Sequence, residues 1–249
     1  MVNQLSKKFE IEFIFSENKK RSFNHKLFAT ENNNPSIKRH MQDFEYYEKK
    51  HLGEKCFDWK INKKTKFFEI SKDINDISVS NFIKNSEVEI VAVFGTSLIK
   101  ESILNSNKKL INIHLGLSPY YKGMACTFWP FFNNEPEFTG VTVFLLNVNI
   151  DDGPIIHQSL VDFEIGDTIH DGSLKVIKNG INLQIQSIEE HYNSKLISHA
   201  QNTSIGNTYY LKDMTDKKID VVNNYWTRDK LDSYILNQEF LKEKIFYYK

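Results

Sequence analysis

The sequence is poor in cysteine, and it contains no long uninterrupted apolar run. Its two cysteines among 249 residues, Cys56 and Cys126, make neither a disulfide framework nor a metal-ligand spacing. No apolar run reaches the roughly 18 residues that a membrane-spanning helix needs, and no charged-then-apolar leader opens the sequence. We therefore expect a cytoplasmic protein with no bound metal and no membrane partner.

The chain also lacks net charge and has little arginine. Its 32 basic residues balance 32 acidic ones, and only Arg21, Arg39 and Arg228 are arginines. Nucleic-acid binding depends on a cationic surface that neutralises phosphates. The charge balance therefore counts against a DNA- or tRNA-binding role, and we expect no nucleic-acid partner.

Near-continuous apolar segments alternate with helical ones along most of the chain. The predicted strands are Phe9–Glu17, Glu89–Phe94, Lys109–His114, Gly140–Asn147 and residues 154–163. Pro35 marks the first turn of one predicted helix, and apolar residues at steps of three and four predict another from Thr168 onward. The pattern predicts an α/β fold, with a Rossmann-like, mostly parallel sheet covered by helices on both faces.

The composition changes near Asn207, where the chain becomes rich in aromatic residues and shows no further strand of the main sheet. We predict a catalytic domain over residues 1–203 and a small C-terminal extension over residues 204–249. An extension of this kind is compatible with an acceptor-site wall or with the arm of a homodimer.

Two polar side chains stand together where the strand "KLINIH" ends. Residues two apart in a strand point to the same face, so Asn112 and His114 project side by side, opposite Ile111 and Ile113. Ligands of open α/β sheets bind beyond the carboxyl ends of strands. An amide can donate hydrogen bonds to an oxyanion, and an imidazole can move a proton near neutral pH. Alone, however, an Asn-x-His pair is more typical of ordinary loop and capping residues.

A pair of acids, Asp151 and Asp152, follows the strand that begins at Gly140 and precedes a Gly-Pro turn. Acids in this position usually form the turn and nothing more. If Asp151 reaches His114, an amide, an imidazole and a carboxylate converge, and the carboxylate orients the imidazole.

The order of these motifs resembles the formyltransferases that use 10-formyltetrahydrofolate, a family that includes glycinamide ribonucleotide, methionyl-tRNA and sugar N-formyltransferases. The resemblance rests on "NIH", then Pro119–Gly123, then Gly140–Thr142, then Asp151–Gly153. It runs clearly from about residue 91 to residue 158. Each motif is weak alone, and the joint order and spacing carry the resemblance.

The resemblance implies transfer of a formyl group to a primary amine without a metal. Asn112 would stabilise the oxyanion of the tetrahedral intermediate. His114 would polarise the formyl carbonyl and move protons between the amine and the folate nitrogen. Asp151 would hold His114 in its charged or correctly tautomeric form and position a water.

The resemblance also implies binding segments for the folate donor and for a small-molecule amine. The segments that would cradle the folate pteridine, largely through backbone groups, are Ser97, Leu98, Ile99, Lys100, Asn147, Val148, Asn149 and Ile150. Tyr120, Tyr121 and Lys122 would border the acceptor cleft. The loop "HLGLSPYYKG" resembles the sugar-type or uncharacterised members more than the purine or initiator-tRNA enzymes, which implies an amino-sugar nucleotide as the acceptor. The tRNA enzymes normally carry a larger, basic C-terminal barrel, which this neutral tail does not supply.

The chain departs from the family pattern at its beginning, where no separate first strand is visible before Phe9. In a doubly wound sheet that strand is normally central, so three readings stay open: a rearranged sheet, a true start that lies upstream, or a degraded N-terminal half. Each of them bears on whether the donor site is complete. Two alternatives to the amine formyltransferase therefore stay open. One is a formyltransferase-like binding protein with a lost donor site, and the other is a 10-formyltetrahydrofolate hydrolase.

Overall fold

The computed structural model describes residues 1–17, 35–53, 62–71 and 73–249, and Arg21 and Cys56 lie outside these ranges. The strands are β1 (Phe13–Glu17), β2 (Lys66–Ile70), β3 (Ile90–Phe94), β4 (Lys109–His114), β5 (Tyr121–Gly123), β6 (Gly140–Leu145), β7 (Ile155–Leu160) and β8 (Asn207–Tyr209). The helices are α1 (Val2–Leu5), α2 (Pro35–Leu52), α3 (Ile77–Asn85), α4 (Glu101–Leu104), α5 (Trp129–Phe132), α6 (Ile169–Tyr192), α7 (Asp216–Tyr225), α8 (Arg228–Ile235) and α9 (Gln238–Lys242). Short 3₁₀ turns cover Pro136–Phe138 and Leu211–Asp213.

The main sheet has the strand order β3-β4-β6-β7. Strands β3 and β4 are parallel, whereas β4–β6 and β6–β7 are antiparallel. The β6–β7 link is short enough for a hairpin, and a parallel pair would need a longer crossover. The predicted α/β class is confirmed. Two of the three strand pairs in this sheet are antiparallel, which was not evident from the apolar runs alone.

Helices cover both faces of the main sheet, as the sequence predicts. Helix α6 begins at a capping box between Thr168 and Asp171 and packs on the face that carries Ile111 and Ile113. Gly180 allows this close contact, since a Cβ there would lie 2.6 Å from Ile113 Cγ2. On the opposite face, α3 and α4 form a second apolar cluster with Leu110. Asn112 and His114 share the face of Leu110, because their positions alternate with Ile111 and Ile113.

The N-terminal strands form a separate sheet. β1 pairs with β2 in parallel, and among residues 1–17 β1 is the single strand, preceded only by the short helix α1. Phe13 and Phe15 pack into the same apolar cluster as Val93 of β3. At the carboxyl ends of β1 and β3, the Ser97 amide donates to Glu17 Oε2 over 2.6 Å. The β1-β2 sheet and the main sheet thus share one apolar cluster.

The residues after 203 complete the main core and do not build one of their own. Ile219, Val222 and Leu231 are fully buried in the same cluster as Phe131. The indole of Trp226 donates to the Phe131 carbonyl over 2.7 Å. The boundary at residues 203 and 204 stays a sequence prediction. In the described part of the chain, no helix is both long enough and apolar enough to cross a membrane.

Candidate active site

His114 lies at the end of β4, buried, with both ring nitrogens facing oxygen acceptors. Its Nδ1 lies 3.3 Å from Asp151 Oδ2, and its Nε2 lies 2.9 Å from the carbonyl oxygen of Tyr121. A carbonyl oxygen can only accept, so Nε2 carries a proton in this arrangement. The Nε2 hydrogen bond to the Tyr121 carbonyl holds the ring in one orientation, with Nδ1 facing the Asp151 carboxylate.

Asp151 reaches His114 from the turn that follows β6. Its backbone adopts the left-handed region, at φ 49°, which is uncommon for a residue with a side chain. Its Oδ2 also accepts a hydrogen bond from the Gly123 amide over 2.8 Å. The neighbouring Asp152 faces the other way and accepts from Asn149 over 2.9 Å. Of the two acids, Asp151 is therefore the one that the fold places against the imidazole.

Asn112 is half-buried on β4, two residues before His114 and on the same face. Its backbone is fixed between Val93 of β3 and Phe144 of β6. The amide, the imidazole and the carboxylate thus lie at one end of the main sheet.

The loop after β4 covers the imidazole and is held by Thr142. The Thr142 hydroxyl donates to the Gly116 carbonyl over 2.8 Å and accepts from the Ser118 amide over 2.9 Å. The Gln158 side chain donates to the same hydroxyl and to the Ser118 carbonyl. The threonine of the Gly140–Thr142 motif therefore shapes the cover over His114.

Replacing Gly116 with alanine is expected to displace His114. An added Cβ would lie 2.4 Å from His114 Nε2 and 2.8 Å from the Tyr121 carbonyl oxygen, so the imidazole or the loop must move. A misplacement of about 1 Å at a reacting group can cost about 10²-fold in rate. We expect a loss of 10-fold or more in turnover, measured by steady-state kinetics, with a fall of about 1–3 kcal/mol in the free energy of unfolding.

The control for this variant is Gly166→Ala, which lies away from the site. Gly166 has φ 90° and open space around its Cβ position. Alanine there should lower the free energy of unfolding while turnover stays at the wild-type level. Equal turnover losses in the two variants would show that the effect of Gly116→Ala is general destabilisation.

The predicted folate segments lie beyond the ends of β3 and β6. Leu98, Val148 and Ile150 expose 55%, 61% and 40% of their surfaces, so both segments offer apolar side chains to a ring system. Ile99, in contrast, is buried in the core and could contribute only through its backbone.

Some backbone groups of the first folate segment are already engaged within the chain. The Ser97 amide donates to Glu17. The Asn75 side chain accepts from the Lys100 amide over 2.6 Å and donates to the Leu98 carbonyl over 2.9 Å. Apolar exposure on both segments fits a pteridine, while these occupied backbone groups limit how it can be held.

The predicted acceptor residues mostly face protein partners. The Tyr120 hydroxyl donates to the Phe246 carbonyl over 3.1 Å. Tyr121 is buried, and its hydroxyl donates to Glu135 over 2.5 Å. Burial and the hydrogen bond to Glu135 raise the pKa of Tyr121 well above its usual value.

Lys122 is buried on β5, opposite Thr208 of β8. The Tyr121 carbonyl, and not its ring, is the group that touches His114.

Two surface clefts, of about 340 and 320 Å³, lie elsewhere and include none of the predicted site residues. The described residues also contain no group of three or more His, Cys, Asp or Glu side chains arranged to hold a metal ion.

Sequence reasoning missed three contributors to this site: the Tyr121 carbonyl, the Gly123 amide and the Gln201 side chain. Gly123 gave a signal, since glycine is the residue that most readily adopts its positive φ of 91°. Gln201 gave none, because it lies 50 residues from Asp151 in sequence.

Comparison with known proteins relates the chain to one family. The sequence profile described as formyl transferase matches residues 37–188. A methionyl-tRNA formyltransferase from Thermodesulfovibrio yellowstonii is 34% identical over 115 residues, which is 44% of this chain and 37% of that relative.

Solved structures share the fold at low sequence identity. The formyltransferase PseJ from Anoxybacillus kamchatkensis, in complex with UDP-4,6-dideoxy-4-formamido-L-AltNAc and tetrahydrofolate, is 20% identical. The match covers 76% of this chain and 94% of that chain, with a TM-score of 0.54. A 4-N formyltransferase from Francisella tularensis is 19% identical, with 85% and 87% coverage and a TM-score of 0.52.

Proposed function

The chain belongs to the formyl transferase family, and from this premise we propose that it moves a formyl group from 10-formyltetrahydrofolate to a primary amine. The observation that carries the proposal is the contact of 3.3 Å between His114 Nδ1 and Asp151 Oδ2, on the strand end that also presents Asn112.

The proposed reaction forms one C–N bond and breaks another. The amine nitrogen attacks the formyl carbon, the folate nitrogen leaves, and one proton passes from the amine to that leaving nitrogen. The Asn112 amide donates to the formyl oxygen as negative charge develops there, and such a donor contributes about 2.7–4 kcal/mol of barrier lowering.

His114 and Asp151 assist the proton transfer and stabilise the charge that develops in this reaction. In the proposed reaction, one imidazole N–H that contacts the Tyr121 carbonyl or the Asp151 carboxylate in the free protein turns to the formyl oxygen and polarises the formyl group. The Asp151 side chain is 15% exposed, so it can also hold the water through which the proton passes. A half-buried carboxylate beside a buried imidazole strengthens both effects, since the local dielectric is lower than in bulk water.

The acceptor that we propose is an amino-sugar nucleotide. PseJ was solved with a formamido-sugar nucleotide and tetrahydrofolate, and the shared fold covers 94% of that chain. The curated methionyl-tRNA relative matches over 37% of its own length. This chain also carries 32 basic and 32 acidic residues, and that balance offers little attraction for the phosphates of a tRNA.

The test is to follow tetrahydrofolate release from 10-formyltetrahydrofolate with three sets of acceptors. These are a panel of amino-sugar nucleotides, an initiator methionyl-tRNA, and buffer without amine; the His114→Gln variant gives the background. We expect release with an amino-sugar nucleotide only. Release with the tRNA would show that the acceptor is a tRNA and not an amino-sugar nucleotide. Release without amine would show that the protein is a hydrolase.

A second candidate is a binding protein with an altered donor site. It is favoured by the hydrogen bonds that Glu17 and Asn75 make to the backbone amides of Ser97 and Lys100, because these amides are then unavailable to a pteridine. Titration calorimetry with a reduced folate separates the two candidates. Tight folate binding supports the formyltransferase. The absence of both folate binding and turnover with any amine would support the binding protein with an altered donor site.

A further inference from the structure

One side chain from outside the turn that carries Asp151 donates hydrogen bonds to two of the turn's carbonyl groups. Gln201 Nε2 donates to the Asp151 carbonyl over 3.0 Å and to the Gly153 carbonyl over 2.6 Å. A primary amide has two N–H hydrogens in one plane, so a single Gln201 side chain serves both carbonyls at once. The two acceptors also fix which end of the amide is the nitrogen.

This turn needs an external support. Asp151 adopts the left-handed region at φ 49°, which a side-chain-bearing residue keeps only where its surroundings hold it. Gly153 lies so close to the end of β6 that an added Cβ would be 1.7 Å from the Leu145 carbonyl oxygen. A small relaxation of this turn would move the Asp151 carboxylate away from His114.

Gln201 is itself anchored to the sheet and to the end of the chain. Two residues earlier, His199 and Ile155 exchange backbone hydrogen bonds of 2.7 and 2.8 Å. The His199 ring stacks on Tyr248, with centroids 4.4 Å apart and planes at 9°. Tyr248 in turn pairs with Gln158 of β7 through the Gln158 amide and side-chain oxygen.

From these contacts we propose that Gln201 is a positioning residue for Asp151, and that Tyr248 supports it through His199. This inference rests on the proposed function of the same site. It gives the C-terminal tail a role in shaping the active site, through contacts made within one chain.

The direct test uses Gln201→Glu and Gln201→Ala. Glutamate keeps the size of the side chain but replaces the NH₂ group, with both of its N–H donors, by one oxygen atom that faces the two carbonyls. A role in packing alone would tolerate this change, and a positioning role would not. Gln186→Ala is the matched control, because Gln186 donates to Glu190 on the exposed face of α6.

The first readout is the ¹⁵N chemical shifts of the His114 ring, measured by NMR on the free protein at one pH. The His114→Gln variant assigns the signal among the eight histidines, and Asp151→Asn defines the shift that follows loss of the carboxylate. We expect both Gln201 variants to move the His114 signals toward the Asp151→Asn values. Gln186→Ala should leave them at the wild-type values.

The second readout is turnover with 10-formyltetrahydrofolate and the amine that supports the fastest rate. Gln201→Glu is expected to lose 10-fold or more, in line with the roughly 10²-fold cost of a 1 Å misplacement. If wild-type protein shows no turnover, the proposed function fails while the NMR comparison still decides the positioning role. His114 signals at their wild-type positions in Gln201→Glu would overturn the inference.

The role of the tail is tested by the pair Tyr248→Phe and Tyr248→Ala. Phenylalanine keeps the ring that stacks on His199, so its His114 signals should match the wild type. Alanine removes the ring, and we expect a shift in the direction of the Gln201 variants. Identical His114 signals in both Tyr248 variants would overturn the link between the tail and the site.

Discussion

Replacing His114 with glutamine is expected to lower the rate of formyl transfer by about 10²–10⁴-fold, the range for loss of a positioned acid–base group. Glutamine keeps a polar side chain of similar length at the end of β4, but it carries no positive charge and relays no proton. The measurement is kcat and kcat/KM from tetrahydrofolate release. Because the interaction is made mainly in the transition state, kcat should fall with little change in KM.

The control for this variant is His157→Gln on β7. His157 is also a buried histidine beside a carboxylate, with Nε2 2.7 Å from Glu190 Oε2, yet it lies outside the proposed site. Its substitution should change stability more than turnover. A turnover loss as large as that of His114→Gln would show that the effect at His114 is not specific to the proposed site.

Replacing Asp151 with asparagine is expected to lower turnover by about 10²–10⁴-fold, as in other pairs where a carboxylate orients a catalytic imidazole. The Asn oxygen can still accept from the Gly123 amide, which Asp151 Oδ2 now does over 2.8 Å. The variant therefore keeps the turn while it removes the negative charge that faces His114 Nδ1. Steady-state kinetics and a thermal unfolding curve together check this expectation.

Asp152→Asn provides the matched control, one residue along the chain. Asp152 accepts from the Asn149 side chain on the exposed side of the same turn and does not contact the imidazole. Its substitution should leave kcat close to the wild-type value. Equal losses at the two positions would mean that the charge of the turn matters and that the contact with His114 does not.

The sequence predicted the architecture well where it depends on local patterns. Helix α2 begins at Pro35 and α6 follows Thr168, because capping residues and apolar periodicity are local signals. The first strand is shorter than predicted and begins at Phe13, not at Phe9. The antiparallel pairing of β6 with its neighbours β4 and β7 was not predicted, because an apolar run carries no information about the direction of its neighbour.

For the site, the sequence predicted the groups but not all of their partners. Asn112, His114 and Asp151 were proposed from motif order, and the fold brings His114 and Asp151 within 3.3 Å. The backbone carbonyl of Tyr121 and the side chain of Gln201 depend on tertiary contacts, so no spacing rule could identify them. Tyr121 was predicted to border the acceptor cleft, and its ring is packed against Tyr209 with ring centroids 5.7 Å apart.

A double-mutant cycle on kcat/KM tests most directly whether His114 and Asp151 act as one unit. It compares the wild type, His114→Gln, Asp151→Asn and the double variant, with the amine that supports the fastest turnover. Since the carboxylate works through the imidazole, the double variant should be about as slow as His114→Gln alone. Losses that multiply in the double variant would contradict the account, because each group would then contribute independently of the other.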